Sequence, residues 1–273
     1  MTELSADTDM KQPSQPWTTQ VAVSLLGRTS ARIGLSWIGL LVIIATFSPF
    51  LASSHPLYLV VDGQASSPLL QHMTARDWVW LTGLPMILVI ALLPLPLWKK
   101  FLSAMVGLGL TAMIAYTVVS PPALVIYEQY RELESTGKVE TIILAPIPYS
   151  AKDYLRDYAD TGIESPLLTS EQRTHWMGTD ENGADVASRM IHASRIALGI
   201  GFIATGIALV IGTIIGGLMG YFSGIVDIIG MRLVEIFEAI PTLFLLLSFV
   251  AFFGRSIYMM MVIIGITAWS GYA

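Results

Sequence analysis

Cysteine and charge are the two things this chain of 273 residues has least of. The absence of cysteine excludes disulfides, thiolate catalysis and cysteine-ligated metals. Charged residues make up only 13% of the chain, against about 25% in a typical soluble domain. Hydrophobic residues make up 54% and include several long charge-free runs, which indicates a polytopic membrane protein instead of a globular domain.

The sequence also lacks the short motifs of common enzyme chemistry. It contains no G-x-x-x-x-G-K-[ST] for nucleotide phosphates, no G-x-S-x-G and no H-E-x-x-H. His175 and His192 are too far apart for one metal-ligand turn, and no acidic residue at ligand spacing completes a site. With a net charge of −5 and no basic aromatic patch, nucleic-acid binding is unsupported. We therefore predict no enzyme activity, no cofactor and no metal site on this chain.

The apolar runs predict an all-α fold. A helix needs about 20 mostly apolar residues to cross the hydrocarbon core of a membrane. Six segments meet this requirement, and their approximate bounds are 33–52, 78–98, 101–120, 196–221, 236–253 and 256–273.

Basic residues between the spans predict the orientation. The polar leader 1–32 carries three, the loop 53–77 carries one, and the turn after the second span carries Lys99 and Lys100. Short cytoplasmic loops are enriched in Lys and Arg, so we place the N-terminus in the cytoplasm. The leader is too long and too polar for a cleaved signal peptide, and the first span is interpreted as an uncleaved anchor.

Four regions follow from this topology. They are a cytoplasmic leader (1–32), an anchor span with an extra helical hairpin (33–120), an extracytoplasmic segment (121–195) and the start of a transmembrane core (196–273). The extracytoplasmic segment holds 12 acidic and 7 basic residues. That imbalance favours either a cationic or zwitterionic cargo or simply a solvated surface. Clusters of Pro, Gly and Ser in it predict loops and short helices.

The stretch "GTDENGADVASR" (178–189) lies just before the fourth span. Apolar residues recur at helical spacing from residue 182 onward, which predicts an amphipathic helix lying at the outer membrane surface. Asn182 and Asp185 have the spacing of a capping box with Asp in place of Glu. Gly178 and Gly183 permit backbone turns that a side chain would forbid.

This stretch and the one after it carry a family resemblance. "HWMGTDENGADVASRMIHASRIALGIG" (175–201) and "IGTIIGGLMGYFSGIVDIIGMRLVEIFEAIPTLFLLL" (211–247) resemble the C-type permease subunits of ABC importers for dipeptides, oligopeptides and nickel. The resemblance covers residues 175–273. It implies a type I permease-like core in the bacterial inner membrane that forms part of a translocation pathway for peptides. The implied partners are a second permease subunit, two ATP-binding cassette ATPase subunits and a periplasmic substrate-binding protein.

The resemblance also implies roles for particular residues. An outer gate or rim would be formed by Gly178, Thr179, Asp180, Gly183, Asp185 and Arg189. A cytoplasmic gate or ATPase contact would be formed by Asp227, Arg232 and Glu235, and ordinary interfacial charge is the alternative reading of these three. The spacing of Arg232 and Glu235 allows them to pair along a helix.

Two further features concern helix shape. Gly212, Gly216, Gly220 and Gly224 recur every four residues and predict a smooth strip for close helix packing along the fourth span. Pro241 lies inside the predicted fifth span and predicts a kink, because proline removes a backbone hydrogen bond.

The chain departs from the family pattern in two ways. It has three spans before the Gly-Thr-Asp motif where one is usual, and we expect the added hairpin (78–120) to pack at the periphery. The family's cytoplasmic coupling loop and two further spans, expected after residue 273, are absent from the sequence. The alternative interpretation is therefore a truncated, inactive fragment or a membrane scaffold without transport activity.

Overall fold

The computed structural model describes residues 17–122, 125–156, 158, 162–167, 169–170 and 173–273. The chain divides into two units, residues 1–43 and 44–273. The described part of the first unit is helical throughout apart from a break at Arg28. Residues 1–16 of the predicted leader lie outside the described part.

Helices dominate both units. Their bounds are α1 Trp17–Gly27, α2 Thr29–Leu51, α3 Pro68–His72, α4 Ala75–Leu92, α5 Leu97–Val118, α6 Glu128–Ser135, α7 Val186–Phe222, α8 Gly224–Ala239, α9 Thr242–Phe253 and α10 Ile257–Thr267, followed by a 3₁₀ turn, Ala268–Tyr272. The strands are β1 Tyr58–Val61, β2 Gln64–Ser66, β3 Val139–Ile143, β4 Thr169–Ser170 and β5 Arg173–Thr174.

Among the described residues, four helices are long and apolar enough to cross a membrane: α2, α4, α5 and α7. They correspond to the first four predicted spans. Helix α7 has 37 residues. At 1.5 Å per residue it is about 55 Å long, whereas the hydrocarbon core is about 30 Å thick. The helix predicted before the fourth span is therefore the first part of the same continuous helix.

The predicted fifth span (236–253) is interrupted in the structure. Helix α8 ends at Ala239, α9 begins at Thr242, and the two are bent by 72°. Pro241 is the N-cap residue of α9 and lies between the helices, not inside one. Proline has no N–H and disfavours helical backbone in the residue before it, and Ile240 is accordingly extended. The predicted sixth span is a shorter apolar helix, residues 257–272.

The described residues of the connections 52–74 and 119–185 fold together into one structure, which we call the cap. At its centre is an antiparallel sheet of order β2-β1-β3, in which Val60 pairs with Thr141. For residues 121–195 the sequence predicted loops and short helices, and strand β3 was not expected. Asp62 and Gly63, both with positive φ, form the tight turn between β1 and β2.

The cap is continuous with the helices that enter it. The N–H of Ile147 donates to Leu51 O of α2, and the N–H of Ser53 donates to Ile147 O, each at 3.0 Å. A small apolar cluster joins the two connections to α7 through Ala52, Ile147, Tyr149, Leu155 and Ala187. The C-terminal end of α2 and the N-terminal ends of α4 and α7 therefore meet at the same side of this unit.

Candidate functional site: the loop before helix α7

Helix α7 begins one residue after Asp185, which caps it. The Asp185 Oδ1 accepts a hydrogen bond of 2.6 Å from the Ser188 N–H, and the side chain of Asp185 is almost completely buried. The cap residue is therefore Asp185, and the capping box predicted from Asn182 is wrong by three positions. A carboxylate at this position satisfies a free helix N–H and interacts favourably with the helix dipole.

A histidine that the sequence analysis considered only as a metal ligand binds the same carboxylate. His175 Nδ1 lies 2.8 Å from Asp185 Oδ2, and His175 is fully buried against the Tyr149 ring at 4.3 Å. Its Nε2 lies 3.7 Å from Glu164 Oε2. Burial raises the pKa of Tyr149 to about 12. His175 thus connects the loop to the start of α7. In the sequence, the only indication of this contact was the His-x₉-Asp spacing of the two residues.

Gly178 and Thr179 attach the loop to residues 162–167. The Thr179 hydroxyl accepts a 2.8 Å hydrogen bond from the Glu164 N–H and donates to Gly162 O. The Thr179 N–H donates to Glu164 O at 3.2 Å. Gly178 has φ +74°, and a Cβ placed there would lie 2.2 Å from Glu164 O. Only glycine fits this position, because the backbone has a positive φ and leaves no room for a Cβ, as the sequence analysis expected of a glycine turn.

Asp180 organises the tip of the loop. Its Oδ1 accepts hydrogen bonds of 2.9 Å from the N–H groups of Asn182 and Ala184, and its Oδ2 pairs with the Arg189 guanidinium. Gly183, with φ +82°, donates its N–H to Asp180 O at 2.9 Å. Arg189 Nε also reaches Ala151 O at 3.3 Å. The structure therefore brings all six predicted rim residues together, five of them in the loop and Arg189 in the first turn of α7.

The loop presents a polar surface. Its carboxylates, hydroxyl and guanidinium hold the loop's own backbone and side chains together, while Glu181 and Asn182 are exposed at the tip. Beside it, Ile163, Trp176 and Met177 expose large apolar side chains, with Ile163 75% exposed.

The residues predicted for the cytoplasmic side lie on α8. Arg232 Nη1 donates to Glu235 Oε2 at 2.6 Å, so the predicted pair is present, and both side chains are exposed. Asp227 is exposed in the first turn of the same helix. Exposed pairs of this kind contribute about 0.2–1 kcal/mol, so stability alone gives little reason for them.

The predicted glycine strip is only partly a packing surface. A Cβ at Gly212 would lie 2.6 Å from Tyr272 Cβ, and one at Gly216 would lie 2.6 Å from Ala273 O, so both contact the segment after α10. Gly220 has open space around it. Gly224 has φ +56° and begins α8, because α7 ends at Phe222, so it is not part of the strip.

Among the described residues, no group of three or more His, Asp or Glu side chains is arranged to hold a metal ion. His175 binds Asp185, and His192 Nε2 lies 3.0 Å from Ala52 O, so the two histidines serve separate contacts.

A stacked histidine pair lies inside the cap. The rings of His55 and His72 are 4.0 Å apart and nearly parallel, and Tyr127 and Tyr130 each lie 5.6 Å from His55. Burial, and secondarily His72, lowers the pKa of His55 to about 4, while Asp153 opposes the shift.

The lowered pKa predicts a loss of cap stability in acid. His55 binds a proton less tightly in the folded cap than in the unfolded chain. The free energy of unfolding of the cap is therefore at its full value above pH 6.5 and falls as the pH drops towards 4. The loss for this group is up to about 3 kcal/mol. Thermal unfolding in detergent at pH 7.5 and pH 4.5 measures it. His55→Phe, which keeps a flat ring in the stack, should show a smaller acid-induced decrease, and equal decreases in both proteins would contradict this role of His55.

The helices and cap define a polytopic helical membrane protein, and comparison with known proteins specifies the kind. The inner membrane ABC transporter permease protein YejE of Escherichia coli (strain K12) is 34% identical over 117 residues, 43% of this chain and 32% of the relative. The dipeptide transport system permease protein DppC of Alkalihalophilus pseudofirmus is 30% identical over 162 residues, 55% of this chain and 50% of the relative. The nickel transport system permease protein NikC of Escherichia coli (strain K12) is 33% identical over 132 residues, 48% of this chain and 47% of the relative.

The curated homologues of this chain are therefore permease subunits of ABC importers, which confirms the resemblance predicted from the sequence. They are transport proteins and not enzymes. The chain spans half or less of the length of the relatives it matches. No family model matches it, and no solved structure does.

Proposed function

We propose that this chain is a transmembrane permease subunit of an ATP-driven importer in a bacterial inner membrane and forms part of the pathway for peptides. The observation that supports this most directly is its homology with ABC importer permeases, together with the four to five candidate membrane spans among its described residues. ATP hydrolysis takes place on separate ATPase chains.

Peptides need such a pathway because their backbone amides cannot leave water for hydrocarbon without replacement hydrogen bonds. The dipeptide relative favours this cargo, and the nickel relative makes Ni²⁺ the comparison that a transport assay has to include. The acidic excess of residues 121–195 suits a zwitterionic or cationic cargo.

The proposed topology puts the N-terminus in the cytoplasm and the cap outside. The loop 178–189 then forms the outer rim, where a periplasmic binding protein delivers cargo, and the exposed Trp176 and Met177 lie beside it. On the opposite side, the charged residues of α8, namely Asp227, Arg232 and Glu235, contact one of two ATPase subunits. A second permease subunit completes the pathway.

An uptake assay in the native host tests this function. Deleting the gene should lower uptake of a radiolabelled dipeptide, and restoring the chain should recover it, with ⁶³Ni²⁺ uptake measured in parallel. Unchanged uptake of both cargoes after deletion would favour the non-transport scaffold. Affinity purification of the tagged chain should also recover ATP-binding cassette subunits, which a scaffold would lack.

Asp180→Asn tests the rim in the same assay. The amide keeps an oxygen for the backbone N–H groups of Asn182 and Ala184 but loses the charge that pairs with Arg189. A charge-assisted hydrogen bond is worth about 1.5–3 kcal/mol, so we expect dipeptide uptake to fall about tenfold at equal membrane insertion. Glu134→Gln makes the same charge change at an exposed position of the cap outside this loop and should transport normally. Equal uptake by both variants would contradict the proposed role of Asp180 in the rim.

A further inference from the structure

Arg195 joins three helices at the edge of the cap. It lies in the third turn of α7, and its Nε donates a 2.7 Å hydrogen bond to Ala45 O on α2. Its Nη1 pairs with Asp77 Oδ1 in the first turn of α4. Both charged side chains are largely buried, with Arg195 14% and Asp77 13% exposed. His192, one turn earlier on α7, lies 3.0 Å from Ala52 O.

Asp77 is itself held in place by the end of its helix. Its Oδ2 accepts hydrogen bonds from the Thr74 N–H at 2.7 Å and from the Thr74 hydroxyl at 2.6 Å. The other oxygen is thereby left to face Arg195. The carboxylate therefore caps α4 and receives the guanidinium at the same time, which orients the helix relative to α7.

The hairpin that follows is a tightly packed pair. A Cβ at Gly107 would lie 2.6 Å from Met86 Sδ, and one at Gly83 would lie 3.0 Å from a methyl of Leu108, so α4 and α5 approach closely at both glycines. When the start of α4 moves, we therefore expect α4 and α5 to move together. The sequence analysis expected this hairpin at the periphery and assigned it no role.

We propose that Arg195 is a positioning residue that fixes the cap-side ends of α2, α4 and α7 to one another, so that the α4–α5 hairpin moves with α7 during transport. The hairpin then takes part in transport by stabilising the position of α7. The transport half of this inference depends on the proposed function, whereas the positioning half does not.

Spin labels measure the positioning directly. The chain has no cysteine, so Leu92→Cys and Phe222→Cys provide two unique label sites at the far ends of α4 and α7, and both positions are exposed. Helix α4 extends about 25 Å from the joint, so its far end amplifies a change of angle. Electron–electron distances in the otherwise unchanged full chain should form one narrow distribution.

Arg195→Gln should broaden that distribution and lower dipeptide uptake at least tenfold. Breaking a buried ion pair costs about 3–5 kcal/mol, which raises the population of separated helices about 100-fold or more. Arg195→Lys keeps a cation for Asp77 but not the planar fork that reaches Ala45 O as well, so it should recover part of both losses. Arg76→Gln is the matched control, since it removes the exposed cation next to Asp77 and should change neither readout.

Two results would overturn the inference: unchanged distances in Arg195→Gln, or broadened distances with normal uptake. If Arg195→Gln does not insert into the membrane, Asp77→Asn makes the same test, because its amide oxygen still accepts from Thr74. If the unmodified chain transports nothing, the proposed function fails, and the distance measurement alone decides whether Arg195 positions the hairpin.

Discussion

Asp185→Ala should lower the free energy of unfolding of the cap by about 2–4 kcal/mol, the sum of a lost helix cap and an unsatisfied buried imidazole. The substitution removes the N-cap of α7 and leaves the fully buried His175 without its 2.8 Å partner. The cap loss alone accounts for about 1 kcal/mol, and the unsatisfied imidazole supplies most of the rest. Pulse proteolysis of the detergent-solubilised chain across a urea series measures the change.

Glu181→Ala is the matched control for Asp185→Ala. It removes a carboxylate from the same loop at an exposed position, and surface substitutions of this kind usually change stability by less than about 0.5 kcal/mol. If both variants unfolded at the same urea concentration, the His175–Asp185 pair would not be what holds the loop to α7.

Gly178→Ala should have the second large effect. The new Cβ meets Glu164 O at 2.2 Å and Pro166 N at 3.2 Å, and both are backbone atoms that move only if residues 164–166 move. The left-handed backbone conformation costs about 1–2 kcal/mol for alanine, and overpacking adds about 1–3 kcal/mol. The same proteolysis assay should show the cap opening at a lower urea concentration.

Gly63→Ala separates these two costs. Gly63 has nearly the same φ, +72°, but no atom lies within 4 Å of its added Cβ. It should therefore lose only the backbone contribution, about 1–2 kcal/mol. Equal losses at Gly63 and Gly178 would show that the contact with Glu164 O has no energetic weight.

The membrane helices could be predicted from sequence because hydropathy and length determine them locally. The four longest apolar helices lie where the apolar runs predicted them. The prediction of one uninterrupted span at 236–253 was wrong for an equally local reason. Hydropathy counts Ile240 and Pro241 as ordinary span residues, but the backbone restrictions of Pro241 end one helix and begin the next.

The cap could not be predicted in the same way, because distant residues hold it together. Strand β1 pairs with β3 some 80 residues later, and no local periodicity specifies that partner. The Asp62-Gly63 dipeptide is a hairpin-turn signal, and the branched residues of "YLVV" before it are typical of a strand. Together they could have predicted the β1–β2 hairpin but not the third strand.

The candidate site also contains some residues that local sequence patterns could identify and others that they could not. Gly178, Gly183 and Asp185 were selected from turn and capping patterns, whereas the family resemblance alone named Thr179, Asp180 and Arg189. The structure brings these residues together. His175 and Arg195 were missed as structural residues because their partners depend on tertiary packing. Arg195 lies on the polar side of the amphipathic pattern, where a charge is usually solvated, but in the folded chain it contacts Asp77 and Ala45 O.

The side of the membrane on which the cap lies is the central claim, and single-cysteine labelling tests it most directly. Asn182→Cys lies at the exposed tip of the loop, and Leu95→Cys lies in the turn between α4 and α5 at the other end of the hairpin. In intact cells, a membrane-impermeant maleimide should label the cysteine at 182 and reach the cysteine at 95 only after lysis. Labelling at 95 with protection at 182 would put the cap in the cytoplasm and contradict the importer topology proposed here.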